Sequence, residues 1–140
     1  MSKPRCYCLT EHQCKGWDCI ECNGCVHQGQ KNLVYLAVPY SHPDERVRQE
    51  RYEAVTKAAG FLMNEGYIVF SPITHCHHIK QICDLPTGWE YWEAFDRAYL
   101  KHCSKLIVLK LHGWEDSVGV NAEIDIAKEM GIEIEYMDLV

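Results

Sequence analysis

Residues 105–131 read KLIVLKLHGWEDSVGVNAEIDIAKEMG, and this stretch decides the fold class. Leu106, Ile107, Val108 and Leu109 form an apolar run without polar alternation, the pattern of a strand buried on both faces in a parallel sheet. After a glycine-containing turn, Ala122, Ile126 and Ala127 recur at helical spacing until Gly131, a residue type that terminates helices in the left-handed conformation. Open parallel sheets bind ligands beyond the carboxyl ends of their strands, which is where Asp116, Ser117 and Glu123 fall. Glu123 reads as a first-turn residue, placed where the positive end of the helix dipole favours an ionised carboxylate. By local pattern alone, an acid at such a position is more often an ordinary helix-start residue than a catalytic one.

The alternation extends upstream. Asn32 to Val38 (NLVYLAV) reads as a strand, and Ser41, Pro43, Asp44 and Glu45 carry the cap, proline and acidic signals of a helix start. That helix is expected to run to Glu65 and stop at Gly66. Tyr67 to Phe70 reads as a second short strand, and residues 71–88, SPITHCHHIKQICDLPTG, read as a loop too long to be mere connection. Gly88 to Cys103 carries Trp89, Trp92, Phe95 and Tyr99 at helical spacing, and a last strand is expected near Ile132 to Tyr136. Strands alternating with helices through short crossovers predict an α/β domain with a mostly parallel sheet covered by helices.

Composition limits the function classes. The 140 residues suit one compact domain, and 47% hydrophobic content is enough for a core. No apolar stretch approaches the roughly 20 residues that span a bilayer, and the N-terminus lacks the pattern of a signal peptide, so no membrane partner and a cytoplasmic location are expected. The charges of residues 1–30 balance (Lys3, Arg5 and Lys15 against Glu11, Asp18 and Glu21), so the net charge of −6 belongs to residues 31–140. A domain that acidic is a poor nonspecific binder of nucleic acid.

The chain divides near Gly29 into a Cys-rich segment, residues 1–30, and the α/β domain, residues 31–140. Of nine cysteines, six (Cys6, Cys8, Cys14, Cys19, Cys22 and Cys25) lie within residues 6–25. An odd number crowded in this way fits a reducing compartment better than a disulfide scaffold. Cys19, Cys22 and Cys25 are spaced two residues apart, and Cys6, Cys8 or Cys14 supplies further thiolates, a set suited to one structural zinc. A segment with few large apolar side chains needs such a metal for its folding free energy. An iron–sulfur cluster and a tail of reduced thiols are the alternatives. Elemental analysis of protein purified without added metal is expected to find about one zinc per chain; absence of both zinc and iron leaves the reduced tail.

Three segments of the α/β part carry a resemblance. YLAVPYSHP (35–43), FDRAYLKHCSKLIVL (95–109) and SVGVNAE (117–123) resemble the nucleoside 2-deoxyribosyltransferase superfamily over about residues 33–136, and most closely an uncharacterised branch with the same YLAxPYSHP opening. Deoxynucleoside 5′-monophosphate N-glycosidases are characterised relatives. The resemblance implies a flavodoxin-like parallel sheet of about four to five strands with helices on both faces. It also implies cleavage or transfer at the N-glycosidic bond of a nucleotide or nucleoside, and a homo-oligomer in which a neighbour helps to close the pocket. By the motifs, Glu123 is the nucleophile, Asp96 the acid or base, and Ser117 a phosphate-binding serine where nucleoside transferases usually carry an aspartate. Tyr35, Pro39, Tyr40 and Ser41 of the opening segment, with Gly119 beside Ser117, are the implied substrate-binding residues.

The chain departs from the family pattern at Val38, which replaces a glycine of the first strand-to-helix turn, and at Asn121 and Ala122, which replace the commoner pair before the glutamate. The Cys-rich extension has no counterpart in the superfamily. His75 is expected to line the base side of the pocket, while a second metal site at His75, Cys76, His77 and His78 fits no standard spacing. Trp89, with Tyr91 and Trp92, either stacks on a nucleobase or belongs to a core or subunit interface, and Cys83 and Cys103 are expected as small buried hydrophobes. No cofactor is expected for catalysis. The alternative class is a module that binds a nucleotide or an NAD-like ligand without turning it over, since a fold does not fix a chemistry.

Overall fold

The computed structural model describes residues 33–139; the Cys-rich segment and its proposed metal ligands lie outside the described residues. Four strands, β1 (Leu33–Ala37), β2 (Ile68–Phe70), β3 (Lys105–Leu109) and β4 (Glu133–Met137), form one sheet in the order β2-β1-β3-β4. All three pairings are parallel, with Tyr35 opposite Phe70 on one side and Leu106 on the other. The architecture is the flavodoxin-like one, with the strand order reversing between β1 and β3. From β1 the chain departs toward one edge of the sheet, and from β3 toward the other. The loops leaving these two strands therefore diverge and leave a crevice at their carboxyl ends.

Helices cover both faces because the central strands are apolar on both. Val34, Leu36, Ile107 and Leu109 pack against Val55, Ala58, Ala59 and Leu62 of α1 (Glu45–Asn64). On the opposite face Tyr35, Ala37, Leu106 and Val108 meet Leu100 at the end of α3 (Trp89–Leu100) and Val120, Ile124 and Ala127 of α4 (Val118–Met130). The helix after β3 starts where Ser117 accepts a hydrogen bond from the Val120 amide and stops at Gly131, whose φ of 72° is the left-handed conformation a Cβ disfavours. Among the described residues no helix is long and apolar enough to cross a membrane.

Residues 71–88 correct the sequence reading. Most of that stretch is a helix, α2 (Pro72–Cys83), not a loop. The Ser71 side chain accepts from the Thr74 amide and Pro72 occupies the first turn, so this start carries the cap and proline signals that the richness in His and Cys obscured. Helix α1 also starts later than the sequence suggested: its N-cap is Asp44, which accepts from the Arg46 amide at 2.9 Å. Of the two cysteines expected to be buried, Cys103 is and Cys83, in the last turn of α2, is exposed.

Candidate active site

Two carboxylates stand on helix stripes that otherwise face the core. Glu123 lies between Val120 and Ala127 on the inner stripe of α4, and Asp96 lies one turn before Leu100 on α3. Both are buried, at 6% and 8% exposure. A charged group at a core position that is not ion-paired has a functional rather than a structural logic. The Tyr35 side chain, rising from the middle of β1, donates its hydroxyl to Glu123 Oε2 at 2.6 Å and also reaches Asp96. Three residues from three elements thus meet at the carboxyl end of the central strands.

The electrostatics follow from this crowding. Burial, reinforced by the negative charge of Asp96, raises the Glu123 carboxyl to about 8, against which the Tyr35 hydrogen bond acts weakly. Burial raises Asp96 to about 6, with Tyr35 and the Lys80 ammonium opposing. Tyr35 itself is pushed well above its ordinary value by burial and by the two carboxylates, so it remains a donor. Near neutral pH the pair consequently holds about one proton between two acids. The sequence reading of Glu123 as a first-turn residue kept ionised by the helix dipole is overturned. It stands in the second turn, where the dipole has faded, and burial dominates.

Both carboxylates open onto a cavity of about 500 Å³ in the crevice between the loops after β1 and β3. Pro39, Tyr40 and Ser41 line it from the first loop, Ser117 and Gly119 from the start of α4, and Trp89 from α3, so six of the expected binding residues converge. Two do not. Tyr35 lies beneath the cavity, fully buried, and acts on the carboxylates instead of on a ligand. His75 is exposed on α2 and packs against the rings of Phe70 and Phe95, because the helix turns Ile73, Cys76 and Lys80 toward the cavity and His75 away from it. Among the described residues no group of three or more His, Cys, Asp or Glu side chains is placed to hold a metal ion.

Two cations in the wall were missed. Arg51 of α1 donates to the Ser41 carbonyl at 3.1 Å and to the His112 carbonyl at 3.3 Å, tying the two loops together across the crevice. Lys80 of α2 points its ammonium at the rings of Tyr40, 4.9 Å away, and Trp92, 5.5 Å away. Tyr40 is in turn held by buried His77, whose Nδ1 lies 2.7 Å from its hydroxyl while Nε2 meets Gln49 at 3.1 Å. Lys80 would have been legible had α2 been recognised, since it follows Ile73 by two turns and Cys76 by one. Arg51 carries no local signal at all.

A family model covers most of the chain. The model described as Domain of unknown function (DUF1937) matches residues 32–139. The chain belongs to the DUF1937 family. The match begins one residue before β1 and leaves out the Cys-rich stretch, so the DUF1937 domain contains the whole sheet and every residue of the cavity. No curated protein matches the chain.

Proposed function

We propose that this DUF1937 domain cleaves or transfers at the N-glycosidic bond of a nucleotide, with Glu123 as nucleophile and Asp96 as acid and base. The observation that carries the reading is the pair of buried carboxylates joined through Tyr35 and opening on one cavity. Glycosidic cleavage passes through an oxocarbenium-like state that needs one ionised carboxylate to capture the sugar and one protonated group to release the leaving group. A Glu123 oxygen bonds the anomeric carbon as the carbon–nitrogen bond breaks. The electron pair of that bond goes to the base, which takes the proton of Asp96. Asp96, now a carboxylate, accepts a proton from water or an acceptor hydroxyl, whose oxygen displaces Glu123 from the sugar.

In the free protein the shared proton resides mainly on Glu123, and the reaction needs it on Asp96. The positive charge that develops at the anomeric carbon favours the ionised form of Glu123 and so draws the proton to Asp96, while the Tyr35 hydroxyl stabilises both carboxylates in the same direction. A bell-shaped pH profile of kcat/KM follows, with limbs near the values of the pair, about 6 and about 8. Below the lower limb both acids are protonated and no nucleophile remains; above the upper one both are ionised and no acid remains. A rate that climbs steadily to pH 10 would remove the two-carboxylate mechanism.

Nucleotides fit better than nucleosides because the phosphate side of the cavity has donors. Ser117, the first turn of α4 and Arg51, which has no carboxylate partner among the described residues, all line the cavity and supply a hydroxyl, amides and a guanidinium for a phosphate. Ser117→Ala is expected to weaken nucleotides relative to nucleosides by about 1–2 kcal/mol. Steady-state kinetics on both substrate types measures it, and an equal loss on both removes Ser117 from phosphate binding. Incubation with a panel of nucleotides and chromatography of the freed base tests the proposal as a whole. Tight nucleotide binding without base release favours the non-catalytic module.

A further inference from the structure

Lys80 is the most unusual cation in the domain. It is half-buried in the cavity wall, and among the described residues its ammonium has neither a carboxylate nor any hydrogen-bond acceptor in reach. Tyr40 and Trp92 hold it by cation–π contact, Tyr40 being fixed from behind by His77, and Trp92 by donation of its indole N–H to the Pro86 carbonyl at 2.7 Å. The rings fix the position of the charge without using its three N–H donors. Burial already disfavours the charged form of this lysine, so the fold holds an ammonium at a costly place, on the lining of the cavity. Its charge acts on the Asp96 carboxyl, with which it shares the cavity wall, and it feels the Cys76 thiol and the Arg48 guanidinium as well. Arg51 stands apart, between the loops at Ser41 and His112.

We infer that Lys80 is the residue that selects the base, favouring nucleobases with an exocyclic oxo group over those with an amino group at the same position. The inference rests on the glycosidase reading for its orientation: the base must lie against Asp96, which protonates it, and therefore beside Lys80. An oxo group accepts a hydrogen bond from the ammonium. It also shares the negative charge that the base gains when the carbon–nitrogen electron pair moves onto it, so the contact strengthens as the bond breaks. An amino group at the same place sets N–H donors against a cation and leaves both unsatisfied. The ligand class is thus a nucleotide of hypoxanthine, guanine or uracil type in preference to adenine or cytosine type.

The test compares Lys80→Met, which keeps the stem and removes the charge, with Lys80→Arg, which keeps the charge, on inosine and adenosine 5′-monophosphates and their 2′-deoxy forms. Taking the oxo-to-amino ratio of kcat/KM in each protein cancels the intrinsic difference between the leaving groups. Lys80→Met is expected to lower that ratio about 10- to 100-fold, the effect of one hydrogen bond to a charged group, while Lys80→Arg retains most of it. A ratio unchanged in Lys80→Met overturns the inference. Calorimetry with free hypoxanthine and adenine supplies an arm that needs no turnover. Tighter binding of hypoxanthine, lost in Lys80→Met, supports Lys80 even if no nucleotide is cleaved and the glycosidase reading falls. Equal binding of the two bases, or binding of neither, overturns it.

Discussion

Glu123→Gln is expected to abolish base release and, above neutral pH, to melt at a higher temperature than the unaltered protein. The first effect follows from the chemistry. An amide is not a nucleophile toward the anomeric carbon, and loss of a covalent nucleophile lowers turnover by several orders of magnitude. The second follows from the burial of the same side chain. The ordinary value of 4.5 is raised to about 8 in the folded protein, so between these values the folded chain keeps a proton that the unfolded chain gives up. Folding stability therefore falls as pH rises through this window, by on the order of 3–5 kcal/mol once it is crossed. Glutamine fills the same volume, carries no charge and escapes this loss. Melting curves of both proteins at pH 5 and pH 9 measure the difference: near coincidence at the lower pH and a clear advantage for the variant at the higher. Near-normal turnover in the variant places the nucleophile elsewhere, and equal melting at pH 9 means that Glu123 is not held in a dry environment.

Asp96→Asn is expected to lower kcat by about 10²- to 10⁴-fold on ordinary nucleotides, the usual range for loss of a general acid. The loss should be far smaller on a nucleotide whose base is already alkylated on its imidazole ring, because that base departs neutral and needs no proton. The variant also changes the pH profile in a way that structural damage would not. With a single carboxylate left, the alkaline limb disappears. The acidic limb then reports Glu123 alone, at a value lowered by the absence of the Asp96 charge. A uniform loss on both substrates with an unchanged bell would mean that Asp96 merely supports the fold.

How much of this was legible in the chain depended on the range of the contacts. The strands after Asn32 and Lys105, the aromatic helix and the Glu123 helix were readable because periodicity is local, and the two doubly apolar strands implied a sheet covered on both faces. The residues 71–88 were misread because a helix with a weak apolar stripe and several histidines gives little periodic signal, leaving only the Ser71–Pro72 start to announce it. Asp96 and Glu123 were singled out as candidates through the motif resemblance; their burial on core-facing stripes adds a physical reason that spacing alone did not give. Tyr35 was named for the wrong task, since its hydrogen bond to Glu123 spans 88 residues and depends on the β1–α4 packing. His75, Lys80 and Arg51 were decided by which face of a helix meets the crevice, a tertiary matter.

The cavity has two parts with different freedom to change. Its floor is made of Asp96 and Glu123, with Tyr35 buried beneath them, so replacing any of the three by a side chain of different size disturbs packing as well as chemistry. The far wall is different. Ile73 and Lys80 of α2, and Thr87 of the loop after it, come from a stretch that adds no strand to the sheet and carries neither carboxylate, so they can be altered while the floor stays in register. Substitutions meant to change what the cavity holds without disturbing the floor therefore belong on α2 and the loop that follows it.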